Sequence, residues 1–276
     1  MGTLCAPSGC AATPVYDRIA GIYDATRRLP AWVADRVADH LRSRLSSPGQ
    51  ATVLEIGAGT GRIAAGFTRG EPLRQYVGLD LSPAMLAVLQ AKLGDAVRPV
   101  LGDASRLPFA SARFEAVLSC HVLQMVPDLG GAVAEIRRVL RPGGLYLHCT
   151  DELAPHQREY DQLWQTILTE EDSGYTPALR YDMRRDDVVD LWRKRGATVE
   201  ATLVAQWHAV HRVGDLLAAY DAKAYPSCHR VAAPVLDAAL ARLRRETLRR
   251  YGDLGREFVS VTAMEIITAR VSDPRR

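Results

Sequence analysis

The chain has 276 residues, of which 47% are hydrophobic and 24% charged, with a formal net charge of +3. That is enough apolar side chain for a full core in one large domain, or a domain with a substantial insertion, and so small an imbalance of charge requires neither nucleic acid nor a membrane surface as partner. No apolar run approaches the ~18 residues of a membrane span, no signal peptide is evident, and Cys5, Cys10, Cys120, Cys149 and Cys228 are spaced for neither a disulfide framework nor a zinc site; a cytoplasmic protein is expected.

Residues 1–13 are small and polar and are expected to be flexible. Val15 to Asp24 then carries Tyr16, Ile19, Ile22 and Tyr23 at helical spacing, and Trp32 to Leu45 is an amphipathic helix stopped by Ser46-Ser-Pro-Gly49. Thr52 to Ile56 is a short apolar run, read as a buried strand, and leads directly into Gly57, Gly59 and Gly61, with an Ile63/Phe67 helical stripe behind them. A strand entering a glycine-rich turn with a helix opening after it is the nucleotide-binding arrangement of a doubly wound sheet. Turns without Cβ atoms let a ligand lie against the backbone, and N–H groups at a helix start can receive an anionic group.

Further strands are expected at Gln75–Leu79, ending in Asp80; at Val97–Leu101, ending in Gly102-Asp103-Ala104; at Phe114–Leu118, ending in Ser119-Cys120-His121; and at Leu145–His148 after Arg141-Pro-Gly-Gly144. Ser82 is a candidate N-cap for a helix with Pro83 at its first position, and Leu129–Leu140 is a second intervening helix. After Thr150 come helices at Pro155–Thr169 and Arg185–Gly196, two strands at Val199–Trp207 and Phe258–Val271, and between those strands helices near Val213–Lys223 and Val231–Tyr251. About fifty residues is far more than a hairpin needs.

Five motifs in this order carry a resemblance: Val53-Leu-Glu-Ile-Gly-Ala-Gly-Thr-Gly61, Gly78-Leu-Asp-Leu-Ser82, Gly102-Asp-Ala-Ser-Arg-Leu-Pro-Phe109, Ser119 to Asp128 and Arg137-Arg-Val-Leu-Arg-Pro-Gly-Gly144. Between about Tyr16 and Thr150 the chain resembles the class I S-adenosylmethionine-dependent methyltransferases, nearest to their small-molecule, ubiquinone/menaquinone-biosynthesis branch. The resemblance implies an α/β, doubly wound, seven-stranded and mostly parallel sheet of Rossmann-like methyltransferase type. The chain is expected to divide into a core of residues 14–206 and 252–276 and an insertion between the last two strands, 207–251, read from its length as a helical lid, with a peripheral stability element as the competing reading.

The resemblance also implies S-adenosylmethionine as cofactor and a set of residues to hold it. Glu55 is expected to fix the methionine end and the glycine turn, and, as a buried carboxylate, to need a partner. Gly57, Ala58 and Gly59 would lie under the cofactor. Asp80 would take both ribose hydroxyls, since one carboxylate offers two acceptors at that spacing. Leu81 and Leu107 would flank the adenine, Asp103 would accept from its amine with the Ala104 N–H toward the ring, and Cys120 would sit beside the methionine moiety. Tyr23 and Arg27, or Arg28 instead of Arg27, would close over that end. His121 is the one candidate base, although a lone histidine in such a loop is more often structural. Trp207, His208, His211, Tyr220 and Tyr225 are the candidate acceptor lining, with ordinary helix packing as the competing reading. No metal site is expected, and the acceptor is expected to be a small molecule rather than nucleic acid.

Three other readings stay open from the residues alone. A nicotinamide dehydrogenase shares the glycine turn and the strand-end acid. A non-catalytic S-adenosylmethionine-binding module would keep the same fold. Methylation of a metalloid through Cys120, Cys149 and Cys228 is the third.

Overall fold

The computed structural model describes residues 13–27, 29–151, 154–177 and 185–272; most of the expected flexible N-terminus, with Cys5 and Cys10, and Arg28 lie outside them. Seven strands, β1 (Thr52–Ile56), β2 (Gln75–Asp80), β3 (Arg98–Leu101), β4 (Phe114–Cys120), β5 (Leu140–Asp151), β6 (Thr198–Arg212) and β7 (Glu257–Arg270), form one sheet in the order β3-β2-β1-β4-β5-β7-β6. β1 to β5 pair in parallel, and β7 runs antiparallel to both its neighbours. The strand order reverses between β1 and β4, which makes their carboxyl ends the topological switch point where open α/β sheets bind ligands.

β1 is buried at all five positions because both faces of the sheet are covered. On one face Leu54, Val77, Val117 and Tyr146 pack with α6 (Leu129–Val139) and α8 (Arg185–Arg193), whose Trp192 stacks on Tyr146 at 4.8 Å between ring centroids. On the other, Val53, Leu118 and Leu147 pack with α3 (Ala31–Arg42), the single turn α4 (Ala64–Phe67) and α5 (Pro83–Leu93). Ser82 caps α5 by accepting from the Met85 N–H at 3.1 Å, with Pro83 at the first position. α1 (Thr13–Ile19) and α2 (Tyr23–Thr26) lie beside α5, burying Ile19 and Ala20 against Met85.

β6 runs five residues past the Trp207 at which its sequence reading ended, and stays paired with β7 out to Arg212 opposite Glu257. β5 leaves this pairing at Asp151 opposite Met264, so the ends of β6 and β7 overhang the carboxyl edge as a two-stranded ribbon. Residues 207–212 are therefore strand, with half-buried Trp207, Ala209 and His211 alternating with exposed His208, Val210 and Arg212. The helices between β6 and β7 are α9 (Val213–Asp221) and α10 (Ala233–Tyr251), with a 3-10 turn at Pro226–His229. They share a separate apolar core with α7 (Pro155–Glu171), built from Tyr160, Trp164, Ile167, Leu217, Tyr220, Cys228 and Leu243. Hydrogen bonds from the Trp164 indole to Ser227 Oγ at 2.9 Å and between Tyr160 and Thr247 at 2.7 Å tie α7 into this group.

Candidate functional site at the carboxyl edge of the sheet

The glycine turn is shaped by its neighbours. Gly57, Gly59 and Gly61 all have φ between +54° and +80°, a region that side chains disfavour. At Gly57 an added Cβ would lie 2.2 Å from Val122 Cγ2, so this glycine lets the β4 loop close on the turn. At Gly59 the added Cβ would meet nothing nearer than the Gly57 carbonyl at 4.0 Å. Gly59 therefore faces open space, as a backbone awaiting a ligand would.

The Gly59 N–H donates to Asp80 Oδ2 at 2.8 Å and the Ser82 N–H to Oδ1 at 2.9 Å, which fixes the carboxylate across the end of β2. Each oxygen keeps a second lone pair, so two acceptors remain side by side, the number a vicinal diol requires. Burial raises the pKa of Asp80, against the lowering effect of the backbone donors. At the end of β3, Asp103 Oδ1 accepts from the Ser105 N–H at 2.8 Å and from its hydroxyl at 2.6 Å. Ala104 and Leu107 are buried beside it, while Leu81 is half-buried.

Glu55 is buried, and its partner is the Tyr76 hydroxyl, donating at 2.9 Å. Tyr76 is opposite Val53 in the β1–β2 register, so Glu55, two residues on, shares its face and is reached diagonally. Burial pushes the Glu55 pKa up to about 8; the Tyr76 bond and the Arg62 charge pull it down and the Asp80 charge raises it. A folded-state pKa above the unfolded value stabilises the protein fully below about pH 4.5, and that contribution is lost as pH rises toward 8. His40 and His148, both lowered to about 4 by burial, act in the opposite direction, losing stability as pH falls from 6.5. The difference between wild type and Glu55→Gln therefore isolates the glutamate. Wild-type stability is expected to fall relative to the variant by on the order of a few kcal/mol between pH 5 and pH 8. Denaturation curves across that range check this, and a flat difference contradicts it.

The N-terminal segment is bolted over this edge. Asp17 accepts from the Ser82 hydroxyl and from the Ala84 N–H at the start of α5. Asp24 takes the Thr60 hydroxyl at 2.5 Å and the Lys92 ammonium at 2.6 Å, and the Tyr16 hydroxyl lies 2.9 Å from Met125 Sδ. These contacts bring Tyr23 and Arg27 over the turn. The Arg27 guanidinium lies 5.3 Å from the Tyr23 ring centroid and 4.5 Å from that of Tyr225, and it donates to the Ala224 carbonyl. Arg62, directly after the glycines, lies 5.2 Å from the Tyr23 centroid and donates to the Arg27 carbonyl.

At the end of β4, His121 adopts φ +55°, an uncommon conformation for a residue with a side chain. Its Nε2 is hydrogen-bonded to Asp151 Oδ1 at the end of β5. Burial alone would raise the Asp151 pKa, but the His121 bond and charge, with Arg62, outweigh it and hold the carboxyl below its usual value. The pair is about one-third exposed, with side chains 33% and 31% accessible. With Nε2–H directed to the carboxylate, Nδ1 is left to accept a proton. Cys120 and Cys149 are register partners on β4 and β5, so they do converge, but burial pushes both thiols up and away from the reactive thiolate.

The structure thus assembles Tyr23, Arg27, Glu55, Gly57, Ala58, Gly59, Asp80, Leu81, Asp103, Ala104, Cys120 and His121 along one edge. It treats the five expected acceptor-lining residues differently. Trp207 packs edge-on against Trp32, 6.2 Å between centroids, because β6 continues through it. His208 is exposed on the ribbon, and His211 sits 5.0 Å from the His156 ring. Tyr220 is 2% exposed in the core of the inserted helices. Tyr225 meets the N-terminal segment, through Arg27. Arg62, Tyr76 and Asp151 are functional candidates that spacing did not reveal.

Residues 54–148 match the family described as a methyltransferase domain. The chain is 36% identical over 143 residues to the ubiquinone/menaquinone biosynthesis C-methyltransferase UbiE of Desulfotalea psychrophila, covering 51% of this chain and 58% of that one. It is 34% identical over 157 residues to the malonyl-acyl-carrier-protein O-methyltransferase of Serratia marcescens, covering 57% and 58%. In both cases it spans little more than half the relative's length. Among solved structures, phosphoethanolamine N-methyltransferase 2 of Haemonchus contortus, in complex with S-adenosyl-L-methionine, superposes with a TM-score of 0.56 at 17% identity, covering 96% of this chain and 61% of that chain. Over residues 54–148 the chain is thus similar to methyltransferase domains, and it carries them on a seven-stranded sheet of the same fold.

Proposed function

We propose that the chain transfers a methyl group from S-adenosylmethionine to a small-molecule acceptor by in-line displacement. The observation that carries this reading is the carboxylate of Asp80, held by Gly59 and Ser82 with two acceptors to spare, beside a glycine whose missing Cβ leaves open space. The residues fit the cofactor. Asp80 would bind the ribose hydroxyls, Asp103 the adenine amine, and Glu55 the ammonium of the methionine end, close to Arg62 and Cys120. When bound, the cofactor supplies an already activated methyl group on a sulfonium. What remains for the chain is mainly to hold the acceptor in line with that methyl, and positioning of this kind can supply much of a rate enhancement.

His121 is the proposed base. Asp151 fixes its tautomer and stabilises the imidazolium formed when Nδ1 takes the acceptor's proton. The helices α7, α9 and α10 act as a lid: the stretch from Ala224 to Tyr225 meets Arg27 above the site, which would exclude water from the transfer. This lid reaches the site through one loop rather than along the whole of 207–251. A thiol-based reading gains nothing from Cys228, buried in the lid core with its pKa raised to about 11 by that burial.

Small-molecule transfer is tested by incubating the protein with methyl-labelled S-adenosylmethionine and separated fractions of a cell extract. Label is expected to enter the fraction of low molecular mass. Label confined to the protein or nucleic-acid fraction contradicts the reading.

A further inference from the structure

Two guanidinium groups overlook the site. Arg27 and Arg62 both lie against the Tyr23 ring, at 5.3 and 5.2 Å, and Arg62 donates to the Arg27 backbone carbonyl, so the two side chains share one small region. Both are partly buried. Among the described residues neither forms an ion pair, and Asp24, three residues before Arg27, is already taken by Thr60 and Lys92. The recorded side-chain bonds use two of Arg27's five N–H donors, to Thr26 Oγ1 at 3.1 Å and Ala224 O at 3.3 Å, and a single one of Arg62's. Two partly buried like charges held close together, with donors left over, are suited to receive an anion.

The cofactor read into this site has a single carboxylate. Arg62 is the group placed to meet it, because its charge acts on Glu55, Cys120 and Asp151 at the inner end of the site. Arg27 is then in excess. It lies farther out, against Tyr225 and beneath the Ala224 carbonyl, on the lid side of the site. We propose that Arg27, between Tyr23 and Tyr225, binds an anionic group of the acceptor, a carboxylate or phosphate, and so selects acidic small molecules for methylation. The two aromatic rings that hold the Arg27 guanidinium in place would flank whatever carries the anion. The inference rests on the methyltransferase reading of the same site.

The test uses the full chain saturated with S-adenosylhomocysteine, the cofactor product, whose own binding is measured first by calorimetry. Matched probes are then titrated: 4-hydroxybenzoate against 4-hydroxybenzamide, 3-hydroxydecanoate against 3-hydroxydecanamide, and phenyl phosphate against phenol. In at least one pair the anion is expected to bind tenfold or more tightly than its neutral match. Arg27→Gln should bring that pair to within twofold and Arg27→Lys should restore part of the preference; S-adenosylhomocysteine affinity is measured for each variant first, and a tenfold or greater loss of it in Arg27→Gln would assign Arg27 to the cofactor and overturn the proposal. Equal binding of all pairs, no detectable binding of any anion, or a preference that survives Arg27→Gln each overturns the proposal. Failure of the chain to bind S-adenosylhomocysteine at the outset would instead overturn the cofactor reading beneath it.

Discussion

Replacing His121 by Gln is expected to lower kcat by about 10²–10⁴-fold, the usual contribution of a positioned general base, while leaving cofactor affinity within a few-fold. The expectation follows from the geometry at the ends of β4 and β5. The imidazole is turned by a left-handed backbone, its Nε2 is bound to Asp151, and its Nδ1 is left as the basic atom. Asp151→Asn keeps the shape of the partner but removes the charge that stabilises an imidazolium. It should therefore lower kcat by a smaller factor than His121→Gln does, in a protein that still folds. Rates of both variants at saturating cofactor check this: His121→Gln should be the slower of the two. Unaltered kcat in a folded His121→Gln protein would show that proximity and orientation alone carry the reaction.

Asp80→Ala is expected to weaken S-adenosylmethionine binding by about 2–4 kcal/mol, through the loss of two charge-assisted hydrogen bonds to the ribose. The same carboxylate also holds the Gly59 and Ser82 N–H groups, so the alanine variant loosens the turn as well as losing the diol. Asp80→Asn separates the two effects. Its amide oxygen can keep one backbone donor, while its NH₂ group replaces an acceptor that a hydroxyl needs. Both variants should fold, since Asp80 lies at the strand's end and contributes no apolar packing, and both should bind more weakly than wild type in calorimetric titration. Unchanged affinity in either variant would remove Asp80 from the site.

Much of the core was legible because its strands are unbroken apolar runs and its turns are written in glycine and proline. β1 coincides with its sequence reading from Thr52 to Ile56, and the Ser82 cap and Pro83 start of α5 are where side-chain chemistry places them. The switch point follows from strand order, which the motif sequence implied. What was not legible depends on register and on long-range packing. Asp151 meets His121 because Cys120 pairs with Cys149, and thirty residues of intervening sequence carry no trace of that alignment. Tyr76 serves Glu55 through a diagonal across two parallel strands. Arg62 sits in plain view after the glycines, but the direction of its side chain is fixed by the Tyr23 ring, thirty-nine positions earlier.

The helices inserted between β6 and β7 show the same division. They were readable from their apolar spacing, whereas the membership of α7 was not, because Trp164 and Tyr160 find their partners in Ser227 and Thr247 only once the chain has folded back. Aromatic and histidine content suggested a pocket lining. In the structure Tyr220 uses its ring to build the core of the inserted helices, and Trp207 uses its ring to hold the β6 ribbon against α3.

Calorimetric titration of the wild-type chain with S-adenosylmethionine, beside an identical titration with NAD, tests the central claim most directly, because both cofactors share a ribose diol and an adenine while the methionine end belongs to one of them. The account predicts one site per chain for S-adenosylmethionine, with affinity in the micromolar range or tighter, about −8 kcal/mol or more, and binding of NAD at least a hundredfold weaker. Equal or tighter binding of NAD, or no heat from S-adenosylmethionine with the folded protein, would contradict it.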